Sequence, residues 1–145
     1  MEESLPMLLL RAREAAMAKF RPLLRDHGLT EQQWRVLRVL ATGKPLDAGE
    51  LAERSTLLGP SLTRIIKSLE RDGLVRRSLD PADQRRAVIA LTQSGQDKYH
   101  QVSPNSEHLY QEIEQQFGAK NLKHLNQLLN QLVTDLEQGT IDVKR

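Results

Sequence analysis

Residues 57–92, LLGPSLTRIIKSLERDGLVRRSLDPADQRRAVIALT, decide the fold. Pro60 suits the first turn of a helix, where a missing N–H costs nothing, and Gly73 suits the position just past a helix end. Between them, Leu62, Ile65, Ile66 and Leu69 fall on one helical face, while Pro60, Arg64, Lys67 and Arg71 lie opposite. Ser61, Thr63 and Ser68 occupy the shoulders. After Gly73 the period shortens: Leu74–Leu79 is β-compatible, Asp80–Asp83 is turn chemistry and Ala87–Leu91 is a second apolar strand candidate. Helix followed by basic hairpin is the order that a winged helix-turn-helix offers to duplex DNA.

That order assigns roles to side chains. The aliphatic face anchors the helix, so its far face is free to meet base edges and phosphates. Arg64 is the leading base reader, because a guanidinium donates bidentately to guanine O6 and N7. Lys67 fits a phosphate, and Ser61 and Thr63 are short enough for close approach near the helix start, beside Pro60 and Ser68. Arg85 and Arg86 end the turn, with Arg76 and Arg77 flanking the wing. Consecutive strand residues point to opposite sides, so one of Arg85 and Arg86 is expected in the minor groove and the other on phosphate or an acidic neighbour. Asp83 is placed to orient one of them by a charge-assisted bond. Their order is left open by the spacing. From Pro60 to Arg86, seven basic residues stand against four acids, a modest excess that supports the motif without carrying it. A basic face serving acidic protein partners is the competing reading, and sequence-selective DNA binding separates the two.

The flanking sequence completes a mostly α-helical plan. A helix over residues 4–24 is expected, capped by Ser4 and bent or ended near Arg21 by Pro22. Thr30 opens a second helix with Gln33 three residues on, burying Trp34, Leu37 and Val36 or Leu40 and stopping at Gly43. A short third helix over residues 46–54 carries Asp47 as cap and Glu50 as its reciprocal partner. Thr92 caps a helix to Phe117 with Pro104 as a kink, and a last helix runs from Ala119 to about Glu137. Its residues Leu122, Leu125, Leu129, Leu132 and Leu136, widened by Leu128 and Val133, make a stripe broader than one small module requires. The expected architecture is a single domain over residues 1–145, with a winged core at 30–91 and dimerisation helices at 4–29 and 92–138. The dimer is expected to be two-fold and obligate.

Composition bounds the rest. With no cysteine there is no disulfide, thiol nucleophile or thiolate metal site, and a near-neutral net charge of +2 predicts little by itself. The start, MEESLPMLLL, carries acids where a signal peptide carries bases, and no apolar run approaches the roughly 20 residues that span a bilayer. A cytoplasmic protein with no membrane role is expected, associated with the nucleoid when bound to DNA. Neither metallohydrolase histidine spacings, G-x-S-x-G nor a phosphate-binding glycine loop occurs, so an enzyme is not expected and no cofactor is called for. His100, Glu107, His108 and Glu112 approach a turn-spaced cluster, but the two histidines lie about 80° apart on an ideal helix. Pro104 intervenes, and no metal site is assigned.

The succession LLGPSLTRIIKSLERDGLVRR, then Asp83-Gln84-Arg85-Arg86, then Leu91-Thr92-Gln93-Ser94-Gly95 resembles the MarR family of bacterial winged-helix repressors over essentially the whole chain. The segment LLLRAREAAMAKFRPLLRDHGLTEQQWRVLRVLA is similar to a branch of that family governing catabolism of hydroxyphenylacetate-type aromatic acids, and Gly59 and Pro60 fit the same branch. The resemblance implies a homodimer with both terminal helical regions at its interface and a palindromic operator. It further implies release by an aromatic acid, and Arg85 at the wing tip in the minor groove. An aromatic carboxylate needs a basic anchor and an apolar wall. Arg13, Met17 and Phe20 on the first helix, His27 in the connection, and Trp34 and Arg38 on the second are the candidates, Arg13 the leading anchor and Trp34 the leading wall. The alternative is that Phe20 and Trp34 are ordinary core and that Arg11, Arg13, Arg21 and Arg38 are solvated or pair with Glu14, Asp26 and Glu31.

Overall fold

The computed structural model describes residues 4–143; residues 1–3 and 144–145, included above in the single domain, lie outside the described part. Its elements are α1 (Leu5–Asp26), α2 (Glu31–Leu40), α3 (Ala48–Ser55), α4 (Gly59–Arg71), β1 (Val75–Asp80), β2 (Asp83–Leu91), α5 (Gln93–Phe117) and α6 (Ala119–Val143). Contacts divide the chain into a unit that ends at Ser106 and another that begins at Glu107.

In the first unit, α2 and α3 begin where the sequence offers a cap. The side chain of Thr30 accepts from the Gln33 N–H and Gln33 returns a bond to the Thr30 N–H, while Asp47 and Glu50 repeat the arrangement on α3. Val36, Leu37 and Leu40 are all buried, with Trp34, Leu51, Leu62, Ile66 and Leu69 around them, so α2, α3 and α4 share one aliphatic core with Leu74, Val75 and Ile89 of the wing. Ile65 is only partly buried against it.

Four expectations are corrected. Pro22 neither ends α1 near Arg21 nor prevents four further residues of helix, because α1 runs on to Asp26. Leu46 is not helical: its N–H donates to the Ile89 carbonyl at 3.0 Å and its carbonyl accepts from the Ile89 N–H at 2.7 Å, so the residue before the α3 cap forms an isolated antiparallel bridge to β2. The hairpin turn is shorter than expected, with Asp80 paired directly to Asp83. Leu79 pairs with Ala87, so Gln84, Arg85 and Arg86 bulge from β2 opposite no partner. α6 continues beyond Glu137 to Val143.

The link from α3 to α4 is held in an unexpected way. Thr56 closes α3 in the left-handed region, with φ of 56° and ψ of 51°, which a β-branched residue adopts only under constraint. Arg35 supplies that constraint: its Nη1 donates to the Ser55 and Thr56 carbonyls at 3.1 and 3.0 Å. The terminal carbonyls of α3 thus meet a cation from α2. After the wing, Thr92 accepts from the Gly95 N–H at 3.0 Å and donates to the Gly73 carbonyl at 2.6 Å. Gly95 is required there, since a Cβ would stand 2.0 Å from the Leu74 carbonyl oxygen. In the second unit, α6 keeps Leu122, Leu129 and Leu132 half-buried but leaves Leu125, Leu128 and Val133 exposed.

Candidate nucleic-acid interface and effector region

Helix α4 presents the predicted surface. Leu62, Ile66 and Leu69 are buried, whereas Pro60, Thr63, Arg64, Lys67 and Arg71 are exposed and Ser61 is half-buried. The α4 start has no side-chain cap and no acid in its first turn. Its positive end therefore meets no protein anion of its own helix. Thr63 Oγ1 donates back to the Gly59 carbonyl at 3.0 Å, and Arg64 Nη2 donates to Ser61 Oγ at 3.4 Å. Ser68 differs from the others: Gln33 Nε2 donates to its Oγ at 3.1 Å, and that hydroxyl donates to the Ile65 carbonyl at 2.7 Å. Its hydroxyl ties α4 to α2 and does not face outward with Arg64 and Lys67.

The bulge separates the two arginines that spacing left unordered. Arg85 projects with its side chain 93% exposed, steadied by Asp83 Oδ1, which accepts from its backbone N–H at 3.1 Å and its Nε at 3.3 Å. Arg86 turns inward. Its Nε donates to Asp47 Oδ2 at 2.9 Å, its Nη1 to Asp80 Oδ2 at 2.8 Å, and its Nη2 to Glu50 Oε1. It therefore rivets the wing to the α3 start and is spent on protein carboxylates. The charges respond accordingly. Asp80 is held below the ordinary carboxylate value by the Ala82 N–H and then Arg86, and Asp47 by the Glu50 N–H and then Arg86. Arg86 is pushed up in turn, first by Asp80 and then by Asp47. Arg77 is likewise engaged, donating to Glu70 Oε1 at 3.2 Å, whereas Arg76 stands exposed opposite Ala90.

Of the six effector candidates, Arg38 alone lines one of the three depressions described. The Arg13 guanidinium pairs with Glu31 and lies 3.6 Å from Glu14. Glu31, only 14% exposed, also meets Arg21 at 3.3 Å and Arg35 at 3.7 Å, and Arg21 forks onto Glu14 at 3.0 and 2.8 Å. Burial pushes the Arg35 guanidinium down, with Arg13 adding to it. Phe20 and Trp34 are core residues, and the Trp34 ring stacks on Tyr99 with centroids 5.4 Å apart. Met17 and His27 are half-buried, and the His27 carbonyl accepts from Lys98 Nζ at 3.2 Å. Arg38 lines a depression of about 410 Å³ with Arg35, Val39, Thr42, Arg54, Ser55 and Thr56. Arg13 is thus paired with Glu31, and Trp34 is stacked on Tyr99 within the core. Tyr99, whose ring completes the stack, was not singled out by spacing. Among the described residues, no three His, Asp or Glu side chains come together as a metal site. No described helix is long and apolar enough to cross a membrane.

Known proteins place this geometry. The MarR family profile matches residues 27–86, which span α2 to the wing bulge. The homoprotocatechuate degradative operon repressor of Escherichia coli is 46% identical over 133 residues, covering 92% of this chain and 90% of that protein. Among solved structures, the transcriptional regulator PA4135 is 47% identical with a TM-score of 0.84, covering 92% of this chain and 98% of its own. NadR in complex with 4-hydroxyphenylacetate is 39% identical with a TM-score of 0.78, covering 90% and 93%. With the winged helix-turn-helix in place and relatives of this likeness along nearly the whole length, the chain belongs to the MarR family of transcriptional regulators.

Proposed function

We propose that the chain is a cytoplasmic, nucleoid-associated homodimer that binds a partly palindromic operator and represses genes for catabolism of hydroxyphenylacetate- or homoprotocatechuate-type aromatic acids, and that such an acid releases it. The observation that carries DNA binding is the exposure of Thr63, Arg64 and Lys67 on α4 and of Arg85, 93% exposed, at the wing. Arg64 reads bases, Lys67 holds phosphate and Arg85 enters the minor groove. Dimerisation is supported by apolar residues that water would not favour, Leu5, Met7, Leu8 and Leu10 on α1 and Leu125, Leu128 and Val133 on α6. The regulated pathway follows the likeness to the Escherichia coli repressor, and the effector class follows the neighbour bound to 4-hydroxyphenylacetate.

The effector site is assigned to the α1–α2 region. Arg13 already holds Glu31, so a ligand carboxylate there shares or exchanges that partner; Arg38 borders a depression beside Arg35 and Arg54. A ligand shifts DNA affinity only by binding the two conformations differently. Isothermal titration of hydroxyphenylacetates into the free and operator-bound protein tests the scheme, with repeats on Arg13→Met and Arg38→Met. Tighter binding to the free protein, weakened in at least one variant, is expected. Equal binding to both states would refute release by this class of acid.

A further inference from the structure

Leu58 is the most exposed large hydrophobic residue among those described, at 78%. It stands at the N-cap of α4 and makes no side-chain cap bond. That position favours Ser, Thr, Asp or Asn, and the neighbouring α2 and α3 both have complete capping boxes built on Thr30 and Asp47. Leu57, one residue earlier, packs against the core, so the hydrophobic requirement of the turn is already met. Neither helix capping nor core packing accounts for a leucine at position 58. Beyond Gly59 and Pro60, the outward face of α4 is polar and basic, with Thr63, Arg64 and Lys67 exposed and Ser61 half-buried. A lone apolar side chain on such a surface does not match the broad apolar core of a protein interface.

It does match one group in the major groove. The residues at the start of a recognition helix approach base edges, and the apolar group displayed there is the thymine C5 methyl. We propose that Leu58 is a specificity-determining residue that reads thymine by covering this methyl, complementing the guanine contact assigned to Arg64. The inference rests on the DNA-binding reading above and extends it to a base and an atom. It also accounts for the missing cap, since a hydroxyl or carboxylate at this position would bring a polar group against the methyl.

The test uses the whole protein and a duplex that it selects from a random pool. Each thymine of one half-site is replaced in turn by deoxyuridine, which lacks only the methyl, and affinity is measured for the wild type, Leu58→Ala and Leu58→Met. One thymine should lose about fourfold in affinity without its methyl, the equivalent of one buried carbon. Leu58→Ala should lose a similar factor on the thymine duplex and nothing more on the uridine one, while Leu58→Met retains the preference. A uridine scan with no effect, or a methyl penalty that persists in Leu58→Ala, overturns the assignment but leaves DNA binding intact. Failure to select any duplex overturns both. Melting curves for the variants should superimpose on the wild type, because the side chain is outside the core.

Discussion

Replacing Arg85 and Arg86 separately should give opposite signatures, although the two residues are adjacent. Among the described residues, Arg85 is held only by Asp83 within its own wing, so its removal takes a cation from the DNA surface without disturbing the fold. Each neutralised phosphate contributes about 0.9 to the slope of log affinity against log salt. A dimer has two wings, so Arg85→Ala should lower the slope by about 1.8. Between about 50 and 200 mM salt, wild-type affinity should then fall roughly tenfold further than that of the variant. Arg86→Ala removes the cation from Asp47, Asp80 and Glu50 and leaves the salt slope near the wild-type value. Its cost appears as a lower melting temperature and a weaker complex, because the wing is no longer fastened to α3. Fluorescence anisotropy on one operator across a salt series, with thermal melts in parallel, resolves the pair. A slope that drops for Arg86→Ala and not for Arg85→Ala would refute the division of roles.

Gly95→Ala would drive a methyl into the Leu74 carbonyl, and should destabilise the fold by about 1–3 kcal/mol in urea titration; an unchanged midpoint would contradict the close approach. Gln33→Leu leaves both Ser68 Oγ and the Thr30 N–H without their partner, costing about 1–3 kcal/mol. A double-mutant cycle with Ser68→Ala should show coupling, and additive losses would mean that the tie is not formed. Asp47 and Asp80 have folded pKa values below the ordinary 3.8, so their stabilisation is present above that value and lost as pH falls through the lower folded values. Acid unfolding followed by circular dichroism should show a shallower loss in Arg86→Ala than in the wild type; an identical acid limb would show that the Arg86 bonds to Asp47 and Asp80 are not formed in solution.

Much of the fold was legible because local signals agreed with the tertiary arrangement. The caps at Thr30, Asp47 and Thr92 mark helix starts that the structure keeps, and the apolar period of Leu62, Ile66 and Leu69 picks out the buried face of α4. What escaped depends on partners distant in sequence. Leu46 leaves the helix because Ile89 offers it two backbone bonds, and Thr56 adopts a left-handed conformation beside carbonyls bound by Arg35. The sequence places a turn at Pro81 and Ala82, as the structure does, but the strand pairing of Asp80 with Asp83 and the three-residue bulge that sends Arg85 outward and Arg86 inward have no local signature. The charge count around α4 and the wing treated all seven cations alike, whereas Arg77 and Arg86 are committed to Glu70 and to Asp47, Asp80 and Glu50. In the effector region, composition identified cations and rings but could not reveal that Glu31 already gathers Arg13, Arg21 and Arg35.

The central claim is that two copies of α4 and the wing read one operator together. Light scattering of the complex with a single selected duplex measures this directly. The expected mass equals the duplex plus twice the 16.5 kDa chain, with recognition helices about 34–36 Å apart in successive major grooves. A sequence-specific complex containing one chain per duplex would contradict it.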